Sequence, residues 1–211
     1  MRRLSVMILG AAILLPLAAP QALAWSQWQN TQSYNAFWHL RRNVDADHYL
    51  RITWYAGVYA ESDSFWSDLY RYVERCERRP GRDRCREGPY MVGVINDLGE
   101  GEFTLGEGLD TGYFEGTYPM ESYRGNHERN AGRIHISVNL TGVGNLSSSR
   151  EAYSSEDGCV RYSYRSQSEY RQATANGTLT FVRSGNTLDL IDTEDANMNQ
   201  SRYRWQETDI C

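Results

Sequence analysis

Between residues 49 and 60, apolar and polar side chains alternate without a break. Leu50, Ile52, Trp54, Ala56, Val58 and Ala60 fall on one side; Tyr49, Arg51, Thr53, Tyr55, Gly57 and Tyr59 fall on the other. A period of two puts all six apolar residues on one face of an extended strand, whereas a helix would scatter them. Such a run demands a sheet with one buried side. The pattern returns at 133–141, with Ile134, Ile136, Val138 and Leu140 inward. Runs at 177–182 and 187–191 flank the turn-forming stretch Arg183-Ser184-Gly185-Asn186 and predict a hairpin. Weaker strand patterns occupy 90–95, 112–118, 160–170 and 201–206. With 18 glycines and no long helical stretch, the expected fold is all-β: an antiparallel β-sandwich or β-barrel with at most a short helix. Alternation reads the same in both, so it leaves closure of the sheet open.

Two segments are less regular. In 63–78, Phe65, Leu69, Tyr72, Val73 and Cys76 fit a helical face. The alternation in 69–76 and the aromatic and β-branched content fit a strand better, and Pro80-Gly81 then turns the chain toward Cys85. We read a disulfide-braced hairpin. Residues 25–48, polar with Trp25, Trp28, Phe37 and Trp38, read as an N-terminal segment packing onto the domain, with room for a short helical turn.

Arg2 and Arg3 lead an apolar run, 4–19, which ends in Pro20 and Ala22-Leu23-Ala24. That is the pattern of a secretory signal peptide. It predicts cleavage after residue 24, one domain over 25–211, and a secreted or periplasmic location. No later stretch is apolar enough for a membrane span. An even count of four cysteines, without C-x-x-C, reads in an exported chain as two disulfides. Proximity pairs Cys76 with Cys85, and elimination pairs Cys159 with Cys211. Chain entropy gives these bridges about 3 and 4 kcal/mol.

All 22 basic residues are arginine. Each is a permanently charged planar fork suited to carboxylate, phosphate or sulfate. Without Arg2 and Arg3 the chain carries 20 arginines against 27 acids, a net of −7. That balance argues against general nucleic-acid binding.

Three constellations stand out. The stretch 71–87 holds Arg71, Arg75, Arg78, Arg79, Arg82, Arg84 and Arg86 against Glu74, Glu77, Asp83 and Glu87. A basic hairpin on an acidic body suits an anionic partner, such as an acidic polysaccharide or a lipid head group, or a protein partner. A solvated hairpin with mutually paired charges is the plainer reading. Asp97, Glu100, Glu102, Glu107 and Asp110 lie in a glycine-rich stretch, and carboxylates on such loops suit calcium. The spacing of an EF-hand loop is absent, and solvated turns explain these acids as well. Tyr162 and Tyr164 share a strand face, with Arg161 and Arg165 on the other and Tyr153 and Tyr170 flanking. Exposed rings of this kind can stack on sugars, and half-buried strand tyrosines are the plainer reading.

Enzyme signatures are poor: there is no H-E-x-x-H, G-x-S-x-G, P-loop or Rossmann fingerprint, and no catalytic residue is assigned. The expectation is a non-enzymatic binding or envelope-associated structural module, with no cofactor unless calcium. The alternatives are an exported hydrolase of glycans or esters, using carboxylates with His127 or His135, and a lipocalin-like carrier of an apolar ligand.

Overall fold

The computed structural model describes residues 25–62, 64–96, 101–124 and 127–211, apart from the side chains of Asp192 and Glu194. The expected signal peptide, residues 1–24, and the calcium candidates Asp97 and Glu100 lie outside the described residues. The chain forms β1 (Gln29–Asn43), β2 (His48–Glu61), β3 (Ser64–Glu77), β4 (Arg84–Glu87), β5 (Tyr90–Ile95), β6 (Gly101–Leu105), β7 (Thr111–Arg124), β8 (His127–Asp157), β9 (Val160–Phe181) and β10 (Thr187–Asp209). A 3₁₀ turn, Glu107–Leu109, precedes β7.

All pairings are antiparallel. They run β2-β1-β10-β9-β8-β7-β5-β3, and β2 also pairs β3, which closes a ring of eight strands. The all-β expectation holds, in its barrel form. β4 extends the β3 hairpin beside the ring, and β6 lies along β7. Both disulfides form as paired above, Cys76–Cys85 and Cys159–Cys211.

The inward residues of the sequence patterns form the core. Trp54, Ala56 and Val58 of β2 and Ile134, Ile136, Val138 and Leu140 of β8 are buried, with Leu69, Phe114, Tyr118, Leu179 and Met198 facing them. Large rings fill the lumen: Tyr34 lies 5.6 Å from Phe103 and 5.8 Å from Phe114 between centroids. The Trp38 indole N–H donates to the Ala175 carbonyl at 3.1 Å. The Ser67 hydroxyl donates to the Gly57 carbonyl at 2.7 Å and bonds the Tyr118 hydroxyl. Buried polar groups in a barrel need such partners.

Three expectations are corrected. Residues 25–48 are no accessory layer: β1 occupies most of them, and Tyr34, Ala36 and Trp38 are core residues. No helical turn forms there. The runs at 160–170 and 177–182 belong to one strand, β9, and those at 187–191 and 201–206 to β10. Small inward residues between the runs, Ala173, Ala175 and Ala196, hid the continuity, because they lower the apolar signal while leaving room for Trp38 across the lumen. Register shifts in β10 between Leu190 and Ala196 also break its alternation.

β8, β9 and β10 outrun the barrel. β7 last pairs β8 at Thr141, whereas β9 continues with β8 as far as Asp157 and with β10 as far as Asp209. The result is a three-stranded extension. Its hairpin tip is a two-residue turn in which Gly158 takes φ +59°, a left-handed angle that favours glycine. The Cys159–Cys211 bridge ties that turn to the chain beyond β10.

Candidate functional site

The extension has two unlike faces, because its strands carry the barrel's alternation past the end of the core. On the side continuous with the lumen stand Arg150 and Glu156 of β8, Arg161, Arg165, Gln167 and Glu169 of β9, and Gln200, Arg202 and Arg204 of β10. Five arginines thus face two glutamates. Arg161 takes Glu156 as an ion pair at 2.6 Å. Glu169 accepts a hydrogen bond at 2.5 Å from Gln200. Among the described residues Arg165, Arg202 and Arg204 have no carboxylate partner.

Two indoles hold these three. Trp25 lies under Arg165 and Arg204, both 4.9 Å from its ring centroid. Trp28 lies under Arg204 at 4.6 Å and Arg202 at 5.1 Å. Ser26 pins this lead-in segment to β10: its N–H donates to the Trp205 carbonyl at 2.7 Å, and its hydroxyl accepts from the Trp205 N–H at 2.8 Å. Cation–π contact fixes a guanidinium without neutralising it. Arg202 also donates to Gln167 Oε1 at 2.8 Å from Nε and 2.5 Å from Nη2. The Nε of Arg204 is buried without a partner among the described residues. Beside these groups a trough of about 310 Å³ is lined by Asn30, Gln32, Gln167, Glu169, Gln200 and Arg202.

The opposite face carries Tyr153, Tyr162, Tyr164, Tyr203 and Trp205. Tyr153 stacks on Tyr164 at 5.0 Å, and Tyr164 on Tyr203 at 6.1 Å. Tyr153 is 61% exposed and Trp205 50% exposed. Tyr162 and Tyr164 therefore share a face as the sequence indicates, with Arg161 and Arg165 behind them. Tyr164 is half-buried in its stack and Tyr162 is exposed.

The basic hairpin is not one surface. Arg71 points into the barrel, where its guanidinium meets Met91 Sδ at 3.3 Å and lies 5.7 Å from the Trp54 ring; burial holds its pKa below the usual value. Arg78 clamps the β1–β2 loop, donating to Asn43 Oδ1 at 2.6 Å, to the Asp45 carbonyl at 3.2 Å and to the Ala46 carbonyl. Arg79 pairs with Glu77 at 2.8 Å. Arg75, Arg84 and Arg86 line a groove of about 600 Å³ that also contains Asp45, His48 and Glu77, while Arg82 sits with Arg51 and Asp83 elsewhere. Strand alternation and the turn between β3 and β4 thus scatter seven neighbouring arginines over separate environments.

Among the described residues no three His, Cys, Asp or Glu side chains gather as a metal site would require. Asp110 is ion-paired with Arg171, Glu107 begins the 3₁₀ turn, and Glu102 lies on β6 opposite Glu115. His127 opens β8 opposite Arg124. His135 sits on the convex face, with Nδ1 3.0 Å from the Thr117 hydroxyl and Nε2 3.3 Å from Glu115. The neighbouring concavity, about 250 Å³, is lined by Ser137, Asn139, Thr178 and Asp189 and takes in none of the three.

One further group is unusual. Asp68 of β3 faces outward yet is 4% exposed. Gly57 lies opposite it, and a Cβ there would meet the Tyr55 hydroxyl and Asp68 itself, so any larger residue would displace the ring or the carboxylate it covers. Tyr55 and Tyr70 stand 5.8 Å apart in that cover. Burial pushes the Asp68 pKa up to about 6, although a hydrogen bond from Tyr70 pulls it down.

Sequence reasoning missed the partnership of Trp25 and Trp28 with Arg165, Arg202 and Arg204. The available signal was the alternation of Arg202 and Arg204 in β10, but the indoles lie far away in the chain. Comparison with family models, curated proteins and solved structures finds no match to this chain.

Proposed function

We propose that this chain is an exported, non-enzymatic binding module and that the lumen-side face of its extension takes an acidic glycan. The observation that carries the reading is the set of three arginines, Arg165, Arg202 and Arg204, held by Trp25 and Trp28 without carboxylate partners, with Arg202 lining a trough of amides, hydroxyls and Glu169. Guanidinium forks fit carboxylate or sulfate groups in two-point contact. The amides of Asn30, Gln32 and Gln200 suit sugar hydroxyls, which donate and accept as they do. The two disulfides and the signal-like leader support export. The outward strand positions are largely polar, which agrees with a barrel surrounded by water.

The test is titration calorimetry of the oxidised 25–211 chain with heparin, polygalacturonate and neutral dextran. Binding to one of the polyanions that weakens steeply with salt is expected. R165Q/R202Q/R204Q should weaken it at least tenfold while the melting curve stays close to that of the parent. Equal binding of dextran, or undiminished binding by the triple variant, overturns the reading.

A hydrolase ranks second, on one observation: Thr117, His135 and Glu115 form a hydroxyl–imidazole–carboxylate series. It ranks second because the three lie half-exposed on a convex sheet. Release of p-nitrophenol from an ester, lost in His135→Ala, would promote it. The lumen that a carrier needs is occupied by Trp38, Trp54, Tyr34, Tyr118 and Phe114.

A further inference from the structure

The extension leaves one strand edge open. β8 pairs with β7 only as far as Thr141, and residues 147–157 then run beside β9 alone. Their other side faces no strand among the described residues. Eleven residues of free edge span about 36 Å. A bare edge offers a row of unpaired N–H and C=O groups to any other strand, and proteins ordinarily blunt such edges with proline, bulges or charged side chains, which a second strand must then match in sign. Here 147–157 contains no proline. Its register irregularity lies before it, between Val143 and Ser147. Its charges, Arg150, Glu151, Glu156 and Asp157, are of both signs.

We propose that this edge pairs antiparallel with the same edge of a second copy of the chain, centred on Tyr153. In an antiparallel pair related by a two-fold axis through the sheet, facing residues must lie on the same side. That condition limits the registers to those centred on a residue. Centring on Arg150 or Glu151 sets like charges directly together. Centring on Ala152 leaves Arg150 opposite Ser154, and centring on Ser154 puts Glu151 against Asp157. Centring on Tyr153 places Arg150 opposite the partner's Glu156 and, by symmetry, Glu156 opposite the partner's Arg150. It sets no like charges across from each other.

The same register extends an existing feature. Tyr203, Tyr164 and Tyr153 already form a stack that ends at the edge, and Tyr153 is 61% exposed there. Pairing at Tyr153 brings two such stacks end to end, six rings across a continuous six-stranded extension. Directly facing aromatic and oppositely charged pairs are the contacts that stabilise sheets. Arg150, which has no carboxylate partner within its own chain among the described residues, gains one. None of the three glycan-binding arginines proposed above takes part.

Sedimentation equilibrium of the oxidised chain, with no glycan present, tests the pairing. Association to a dimer is expected. Arg150→Glu places two acids against each other at both symmetric positions and should raise the dimer dissociation constant about tenfold or more. The charge exchange R150E/E156R should restore association, which a merely structural defect would not do. Ala152→Pro and Tyr153→Pro provide a backbone test. Whichever of these residues directs its N–H outward tolerates proline in the monomer, and that variant should remain monomeric with its melting transition retained. A parent chain that is monomeric throughout overturns the proposal, as does a dimer indifferent to the charge reversal and to both prolines. Because no glycan enters the experiment, its failure leaves the acidic-glycan reading standing, and the converse holds.

Discussion

The extension is built from three of the barrel's eight strands, yet the two regions are different materials. Inside the barrel the lumen-side positions of β9 and β10 are Ala173, Ala175, Ala196 and Met198, all buried. A few residues further along, the same sides carry Gln167, Arg165, Arg202 and Arg204. The backbone ladder continues across the boundary, so hydrogen bonding does not distinguish the regions. What distinguishes them is whether a second wall stands opposite. Where β1, β2 and β3 close the ring, apolar burial drives order. Beyond the closed ring the sheet is held by its ladder, by one disulfide, by ring stacking and by the lead-in segment with Trp25 and Trp28. A region held in this way can expose chemistry on both faces, at the cost of depending on few contacts.

That contrast can be broken at its strongest point first. Trp38→Ala removes a fully buried indole and its bond to Ala175. It should cost roughly 3–5 kcal/mol, and the whole molecule, extension included, should melt earlier in a denaturant titration. Removing the extension's bridge by C159S/C211S, which closes a separation of 52 residues, is worth about 4 kcal/mol in the chain-entropy account. The loss should be regional. Hydrogen exchange should speed up in 160–170 while 134–140 keep their protection. Equal loss in both segments would mean that barrel and extension are one cooperative unit.

A third experiment concerns the barrel's outer skin. The folded Asp68 pKa of about 6 exceeds its unfolded value near 3.8. The native state therefore holds a proton that the unfolded state has released, and stability falls as pH rises between those values. This group should remove roughly 3 kcal/mol by neutral pH. Asp68→Asn should flatten that slope and be the more stable protein at neutral pH, with the difference vanishing near pH 4. A parallel pH dependence in the two proteins would mean that the carboxylate is solvated. The smallest effect belongs to the extension. Glu156→Gln breaks an exposed ion pair with Arg161 and should change stability by less than about 1 kcal/mol.

Alternation carried the sequence reading as far as it could go. It located β2, most of the core of β8 and the 181–187 hairpin, because their inward residues are large. It failed for β1, where Tyr34, Ala36 and Trp38 do alternate but Phe37 between them interrupts the polar face. It divided β9 and β10 where the inward residues shrink to alanine. Ring closure was not legible, since it depends on β1 meeting β10. The two disulfides were legible, because four cysteines leave few pairings. The basic hairpin misled for a plain reason: seven arginines close in sequence look like one patch, but strand geometry sends Arg71 to the lumen and Arg78 to a loop. The indole–guanidinium contacts were invisible, because Trp25 and Arg165 meet only through the closed ring.

That closure also sets the order of events when the chain folds. The seam is made by β1 and β10, where Gln29 faces Tyr203. β1 can pair with β2 early, since only a short loop separates them, but its other edge must wait for β10. As the chain emerges N-terminus first, that edge waits until every strand between β1 and β10 has followed. Through that interval both β1 and the last strand formed have bare edges, the situation in which nascent sheets capture one another. A chain stopped before β10 would keep both edges open, and aggregation of such truncations is the behaviour that a barrel sealed by its outermost strands implies.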